Sequence, residues 1–379
     1  MNISNGILQD KDLHTFEFTN KHKFKFNITI KYIEELEKKS NISVDLKEEY
    51  ILFKNQFIKE KKLPFKWTVQ EDNQFTHIPD NKKLEYIFFR YRFTQYPKKK
   101  IVSKFPNYIL IEPASSCNLR CQMCYQTDSS FTTKEHMGMM SFDTYKSIID
   151  QSLEGGAGAV TFGSRGEPLF NKRMPEFLDY IKDKFFEVKL ITNASFLTEE
   201  LCHSILKSNI SLLTFSVDSY FKEEYEEIRS RGDFNRVLDN IKRFIKIRKD
   251  HYPESKTISR VSGVKVLPKQ DAKKFNEFWT KITDEVGMKE AYERWDTYFN
   301  EPHPELTTPC NLLWERMYIW HDGKVNTCDS DYKSNLSYGN IKEYSIKELW
   351  HNQQMENLRK DHLCSNRDKH FPCDRCGFE

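Results

Sequence analysis

From residue 108 to residue 295 short apolar runs alternate with longer stretches of helical period, and this alternation restricts the fold more than any other feature of the chain. Strands are expected over 108–111, 159–162, 187–193, 211–217, 257–266 and 288–295. Helices are expected over 177–185, 198–208, 234–249 and 272–286, with another starting behind Ser141 as its N-cap. Within 234–249, Phe234, Val237, Leu238, Ile241, Phe244 and Ile245 follow the 3.6-residue period. Strands separated by helices of this length pair in parallel through right-handed crossovers. Six such units give an α/β fold, a partial (β/α)6 TIM-like barrel. Chemistry in such barrels gathers at the C-terminal ends of the strands.

The loop after the first of these strands reads Cys117-Asn-Leu-Arg-Cys121-Gln-Met-Cys124, a C-x3-C-x2-C spacing. Thiolates are soft ligands that suit zinc or an iron–sulfur cluster. A structural zinc takes four protein ligands, yet the next cysteine, Cys202, lies far down the chain. A cubane cluster can take three cysteines and leave one iron open. From the residues alone three readings stand: a cluster with an open iron, a zinc site completed by a distant residue such as His136, or three thiols without metal.

Composition narrows the setting. A chain of 379 residues has room for two or three domains. The hydrophobic fraction is a modest 38%, but 29 Phe and 18 Tyr argue against disorder. A net charge of +3, from 59 basic and 56 acidic residues, announces neither a nucleic-acid nor a membrane partner. No apolar run approaches the roughly 20 residues that span a bilayer. Met1-Asn-Ile-Ser-Asn-Gly lacks the basic-then-apolar pattern of a signal peptide. Nine cysteines fall into two groups, with Cys202 alone between them. A secreted disulfide framework is shorter and denser, so metal ligation in a reducing cytoplasm is the expectation.

The cysteine loop resembles the cluster-binding motif of the radical S-adenosylmethionine (SAM) enzymes. The resemblance implies that Cys117, Cys121 and Cys124 hold a 4Fe–4S cluster whose open iron chelates the amino and carboxylate groups of SAM. In that family one electron, from a donor such as flavodoxin or ferredoxin, splits SAM. The 5′-deoxyadenosyl radical so formed takes hydrogen from the substrate. Gly163-Ser-Arg-Gly-Glu-Pro168 is similar to the family's GGEP motif, with Gly166, Glu167 and Pro168 matching and Arg165 standing where its first glycine usually lies. Thr192-Asn193-Ala194 and Ser216-Val-Asp218 stand where the family places polar groups around SAM and substrate. The resemblance thus implies cofactor contacts from Asn193, Ser216 and Asp218, and from Met123, where many members carry an aromatic residue. Arg229 is the implied partner of the SAM carboxylate, with Arg231 its rival.

A second cysteine group comprises Cys310, Cys328, Cys364, Cys373 and Cys376. Residues 314–328 read as two strands joined by an Asp322-Gly323 turn. This spacing could build a structural zinc ribbon. It also resembles the SPASM and twitch extensions of radical SAM enzymes, which implies one auxiliary 4Fe–4S cluster on Cys310, Cys328, Cys373 and Cys376, leaving Cys364 spare. With the chain ending at Glu379, a second auxiliary cluster of the full SPASM form is not expected.

Three domains are expected, over 1–100, 101–300 and 301–379. The first reads as a small α+β domain with strands at 16–18 and 23–30 and helices at 31–39 and 46–61. Tyr96-Pro-Lys-Lys-Lys100 reads as a break and a solvated linker. This domain either covers one end of the barrel or recognises a peptide. Single-auxiliary-cluster relatives include dehydrogenases of aminocyclitol alcohols. The expected reaction is therefore two-electron oxidation of a sugar-like or small polar alcohol. A peptide-modifying enzyme and a non-enzymatic zinc-binding protein are the alternatives. Glu112, Arg165, Arg260, Tyr298 and Asp329 are the candidates for proton transfer.

Overall fold

The computed structural model describes residues 17–18, 24–40, 42–291, 297–303 and 305–377. In chain order its strands are β1 (Glu17–Phe18), β2 (Tyr108–Ile111), β3 (Arg120–Cys121), β4 (Ala159–Phe162), β5 (Glu187–Thr192), β6 (Leu212–Ser216), β7 (Arg229–Ser230), β8 (Ile258–Lys265), β9 (Glu285–Glu290), β10 (Met317–Ile319), β11 (Lys324–Asn326) and β12 (Gly339–Asn340). Helices α1 (Ile30–Glu37), α2 (Lys47–Glu60), α3 (Val69–Thr76) and α4 (Lys83–Lys99) precede the barrel. Helices α5 (Phe142–Glu154), α6 (Met174–Ile181), α7 (Glu199–Lys207), α8 (Lys222–Ile228), α9 (Phe234–His251) and α10 (Ala272–Trp279) belong to it. Helices α11 (Leu312–Glu315), α12 (Ile346–Trp350) and α13 (Gln353–Leu363) follow.

Strands β2, β4, β5, β6, β8 and β9 pair in parallel in that order, the six-stranded partial barrel that the alternation predicts. Their outward side chains, among them Ile109, Val160, Leu190, Leu213 and Val261, are at most 1% exposed and pack against the helices. The inner face is different. Along β5 the inward Glu187, Lys189 and Ile191 are partly exposed, while Val188, Leu190 and Thr192 are buried. A closed eight-stranded barrel fills its interior with side chains. Six strands leave this one open, and its lumen stays accessible to solvent.

The sheet continues beyond the barrel. At one edge β10 pairs in parallel with β2, and β11 and β12 follow antiparallel. Gly323, at φ 88, makes the expected turn between β10 and β11. At the other edge β1 pairs antiparallel with β9. The sixth barrel strand starts at Glu285, ahead of the expected 288–295, and α10 stops at Trp279. Asp284 explains the early start: its N–H donates to Ser259 O at 3.0 Å, drawing the chain into register with β8. Residues 292–295 of the expected strand lie outside the described residues.

Two N-terminal expectations change. Residues 24–29 are extended but join no ladder, because the Asp72 carboxylate takes the N–H groups of Lys25 and Phe26 at 2.8 and 3.1 Å. One buried side chain thus replaces a partner strand. Helix α4 runs through Pro97 to Lys99, where a break was expected from the bias of a residue before proline against the helical region. Tyr96 is buried and holds the last turn in place. Lys100 is no solvated linker residue; its ammonium donates to Pro309 O at 3.1 Å and lies 5.1 Å over the Trp314 ring.

The described N-terminal helices share an aromatic-rich core that includes Phe53, Phe57, Phe75 and Tyr86. They dock on the N-terminal end of the barrel. Phe89 stacks on Phe186 at 5.8 Å, Phe93 meets Tyr108 at 5.8 Å, and Gln74 Nε2 donates to Phe186 O at 2.8 Å. A Cβ on Gly158 would sit 2.2 Å from the Phe89 ring, so this junction needs glycine. Among the described residues no helix is long and apolar enough to cross a membrane.

Candidate active site at the mouth of the barrel

The loop leaving β2 carries Cys117, Cys121 and Cys124 at the C-terminal end of the barrel. Cys121 lies in β3, which pairs antiparallel with β7 and sets Cys121 opposite Arg229. The Cys124 N–H donates to Cys121 O at 3.0 Å, and the Gln126 amide donates to Ser115 O and Arg165 O, both at 2.7 Å. Backbone bonds therefore hold the loop before any ligand does. Burial pushes the Cys117 thiol up to about 12 and raises that of Cys121 further. Left alone these thiols stay protonated, whereas a coordinating thiol is deprotonated outright. Among the described residues no three His, Cys, Asp or Glu side chains already converge as the ligands of one ion would. Three soft thiols on one short loop are the donors a cubane cluster takes, so this set fits one.

The next wall is built from the loop after β4. Gly166 lies against the cysteine loop so closely that a Cβ would come 2.3 Å from Ala114 O. Glu167 donates its N–H to Ser116 O at 3.0 Å. Its carboxylate accepts from Thr192 Oγ1 at 2.6 Å, from the Asn193 N–H at 2.7 Å and from the Leu169 N–H at 3.0 Å. Burial outweighs these bonds and raises the Glu167 pKa. Pro168 opens the single turn that follows. Asn193 Nδ2 faces Cys117 Sγ at 3.8 Å and donates to Asn118 Oδ1 at 2.9 Å. Gly166, Glu167, Pro168 and Asn193 are thus brought together beside the cysteine loop, with Glu167 acting as an internal brace.

Across the mouth Arg229 Nε stands 2.6 Å from Asp218 Oδ2, both side chains being buried. Asp218 Oδ1 also accepts the Val264 N–H at 2.8 Å. Burial works against a charged guanidinium, but Asp218, with Cys121 and Tyr225, outweighs it and keeps Arg229 protonated. Arg231 is exposed, at φ 72, which separates the two candidates. Ser216 is partly exposed at the end of β6, opposite Ser262. Met123 packs on the cluster of Ile228, Val266 and Ala291.

The proton-transfer candidates are mostly committed to neighbours. Glu112 and Arg165 form a buried two-pronged pair, with Nε to Oε2 at 2.6 Å and Nη2 to Oε1 at 2.7 Å. Burial would raise Glu112, but Arg165 and His321 hold its pKa below the usual range. Arg165 also donates to Tyr332 O at 2.8 Å and lies 4.0 Å over the Trp320 ring. The departure from the glycine motif therefore joins barrel to C-terminal region. Arg260 Nε pairs with Glu285 Oε2 at 2.7 Å. Tyr298 donates to Asp331, whose carboxyl burial pushes up to about 6. Asp329 is partly exposed beside Cys328.

The C-terminal thiols gather around a buried arginine. Cys328 lies near Cys373 and Cys376, and Cys310 near Cys376, and burial raises the pKa of Cys310, Cys328 and Cys373. Arg367 donates to Thr308 O and Cys373 O, both at 3.3 Å, and to Cys376 O at 2.7 Å. This set too fits a cluster. Cys364 is exposed at the end of α13, and Cys202 is a core thiol that burial pushes up to about 11. Sequence reasoning missed Arg367, which belongs to no motif and reaches the thiols only in the folded chain, and Asn118, which fills a variable position inside the C-x3-C spacing.

Comparison with known proteins agrees with this geometry. Residues 111–278 match the family described as the Radical SAM superfamily, and residues 310–377 match SPASM, an iron–sulfur cluster-binding domain. A GTP 3′,8-cyclase of Alkaliphilus oremlandii is 26% identical over 151 residues, 39% of this chain and 46% of that protein. The tungsten-containing aldehyde ferredoxin oxidoreductase cofactor-modifying protein of Pyrococcus furiosus is 29% identical over 112 residues, 29% of this chain and 30% of that one. The chain thus spans less than half the length of these curated relatives. Among solved structures, SuiB of Streptococcus suis bound to precursor peptide SuiA gives a TM-score of 0.54 at 15% identity, covering 87% of both chains. BtrN in complex with AdoMet and 2-DOIA gives 0.50 at 20% identity, covering 73% of this chain and 94% of that one. At these identities the two structures share the fold alone.

Proposed function

This chain belongs to the radical SAM superfamily and carries a C-terminal SPASM domain, and on that premise we propose that it oxidises a small polar or sugar-like alcohol by two electrons. Its cofactors are SAM, a SAM-binding 4Fe–4S cluster and auxiliary iron–sulfur ligation in the SPASM domain. Cys117, Cys121 and Cys124 would hold the first cluster, which when bound supplies the electron that cleaves SAM. Cys310, Cys328, Cys373 and Cys376 would hold an auxiliary cluster, an acceptor for the second electron of the oxidation. A flavodoxin or ferredoxin would deliver the first.

The chain's own residues prepare the site. Asp218 holds Arg229 charged beside Cys121, so Arg229 is the group to meet a carboxylate of SAM. Gly166 lets backbone approach backbone at the cysteine loop, and Glu167 ties that wall to Asn193. Ser216 contributes a hydroxyl on the inner face, and Met123 an apolar wall suited to adenine.

One observation carries the reading of an oxidation. Strand β10 pairs directly with β2. Cys328 therefore follows the β10–β11 hairpin, whose first strand lies beside the one that delivers the cysteine loop, and an electron acceptor held there would stand on that side of the barrel.

A peptide substrate is the second reading. The extended segment 24–29 borders a groove of about 900 Å³ whose lining includes Phe57, Phe65 and Trp67, a shape and chemistry that suit an extended chain. The experiment is anaerobic reconstitution followed by incubation of SAM with polyols deuterated at the carbinol carbon. About eight irons per chain, four for each cubane, and deuterium in 5′-deoxyadenosine support the first reading. Label drawn only from peptides overturns it, and zinc at both sites overturns its premise.

A further inference from the structure

The inner face of the barrel carries a cation with no hydrogen-bond or ion-pair partner among the described residues. Lys189 is the third residue of β5, on the face turned to the lumen, and pairs in the ladder with Thr161 of β4 and Leu212 of β6. Other charges line the same cavity, and each has a partner. Glu187 accepts from the Tyr86 hydroxyl at 2.9 Å and from Arg90 at 3.2 Å. Glu285 is held by Arg260 at 2.7 Å. Arg316 pairs with Glu315 and lies 4.3 Å over the Tyr108 ring, whose hydroxyl donates to Thr161 Oγ1 at 2.6 Å. Lys189 has no hydrogen bond and no ion pair among the described residues. Burial, with Arg260, Arg316 and Lys289 in electrostatic reach, pulls its pKa down to about 7 against the opposing pull of Glu187.

An ammonium that is partly withdrawn from water and makes no hydrogen bond gains from an anion brought against it. The position shows what could. Lys189 lies three residues before Thr192, about 10 Å below the mouth at roughly 3.3 Å per residue. The N-terminal helices close the far end, at Phe186 and Glu187. A small molecule anchored at Lys189 would thus present its other end to the cysteine loop.

We propose that the barrel lumen binds an oxyanion group of the substrate, a phosphate or a carboxylate, on Lys189, with the paired Arg260 and Arg316 in electrostatic reach. This rests on the reading of the lumen as a substrate cavity, and it narrows the substrate to a polar alcohol that also bears an anionic group. A neutral polyol would leave the lysine without an ion pair.

The test uses reconstituted protein with SAM. Its thermal midpoint is measured against inorganic phosphate and against succinate, each compared with chloride at matched ionic strength. A saturable rise above chloride is expected, at least tenfold weaker in K189Q and kept in K189R and in the exposed control K273Q. Phosphate alone raising the midpoint points to a phosphorylated substrate, succinate alone to a carboxylate, and both to an oxyanion site that accepts either. No rise above chloride, or a rise undiminished in K189Q, overturns the proposal. Should K189Q not fold, amine modification of the wild type mapped by mass spectrometry decides. Phosphate or succinate must protect Lys189 and not Lys273, and equal modification with and without the anions refutes the site. Cleavage of SAM by the wild type is measured separately. Its absence counts against the functional reading, whereas cleavage without an anion-specific shift counts against the lumen assignment alone.

Discussion

The two groups of thiols are built in opposite ways. Cys117, Cys121 and Cys124 lie on one loop, held by its own backbone bonds and by the ladder from β3 to β7. Cys310, Cys328, Cys373 and Cys376 are drawn from across residues 310–376. They meet only because β10 and β11 extend the barrel sheet and Arg367 gathers three carbonyls between them. Where ligands are local, the loop exists before the metal. Where they are scattered, metal binding and folding are the same event. The first arrangement can leave an iron open for chemistry, while the second staples a region with little core of its own.

This contrast can be broken by substitution. The largest effect is expected from replacing Cys117, Cys121 and Cys124 together by alanine. Cleavage of SAM should fall to background while the circular dichroism spectrum and the urea midpoint stay close to wild type, since the barrel core does not depend on that loop. Retained cleavage would end the assignment of the SAM-binding cluster. Next, Cys328→Ala should lower iron from about eight to about four per chain and make the region after residue 300 cleave faster in limited proteolysis. If it digests like wild type, the C-terminal ligands are as independent of folding as the loop, and the contrast fails.

Two carboxylates between the regions sharpen it. Glu112→Gln leaves Arg165 buried without its counter-charge, and the expected loss is about 3–5 kcal/mol in urea denaturation. A loss under about 1 kcal/mol would place the pair with exposed ion pairs instead. Asp128 sits nearer the surface, and its carboxylate accepts from the Tyr332 hydroxyl at 2.9 Å and from Lys333 at 2.7 Å. Burial is outweighed by Lys333, Ser130 and Tyr332, which hold its pKa down at about 2. Because that value lies below the unfolded one of about 3.9, its stabilisation is complete above roughly pH 5 and is lost as pH falls toward 2. Asp128→Asn should therefore be less stable than wild type by about 0.2–1 kcal/mol at neutral pH, with the gap closing in acid. A gap that widens in acid contradicts the sign.

Much of this was legible in the residues, and the reasons for success and failure are physical. Strands β2 and β4 were readable because burial on both faces gives contiguous apolar runs, β5 because one buried face gives alternation, and α9 because its period is carried within one segment. The cysteine loop and the Gly166-Glu167-Pro168 turn were readable because each needs particular residue types at fixed local spacing. The 24–29 segment looked like a strand because alternation reports a half-buried extended chain, whether its partner is a strand or the lone carboxylate of Asp72. Helix α4 was misjudged at Tyr96 because the bias before proline is local, whereas Tyr96 is held by packing.

The sequence by itself determined the kinds of element, the parallel barrel they must form and the donor types at each thiol group. These depend on periodicity and spacing among neighbours along the chain. Only the tertiary structure decided that the N-terminal helices close the barrel, that Arg165 belongs to Glu112, and that Lys189 faces the lumen without an ion-pair partner among the described residues. Burial and charge compensation are set by groups that lie far apart in sequence and meet only in the folded chain.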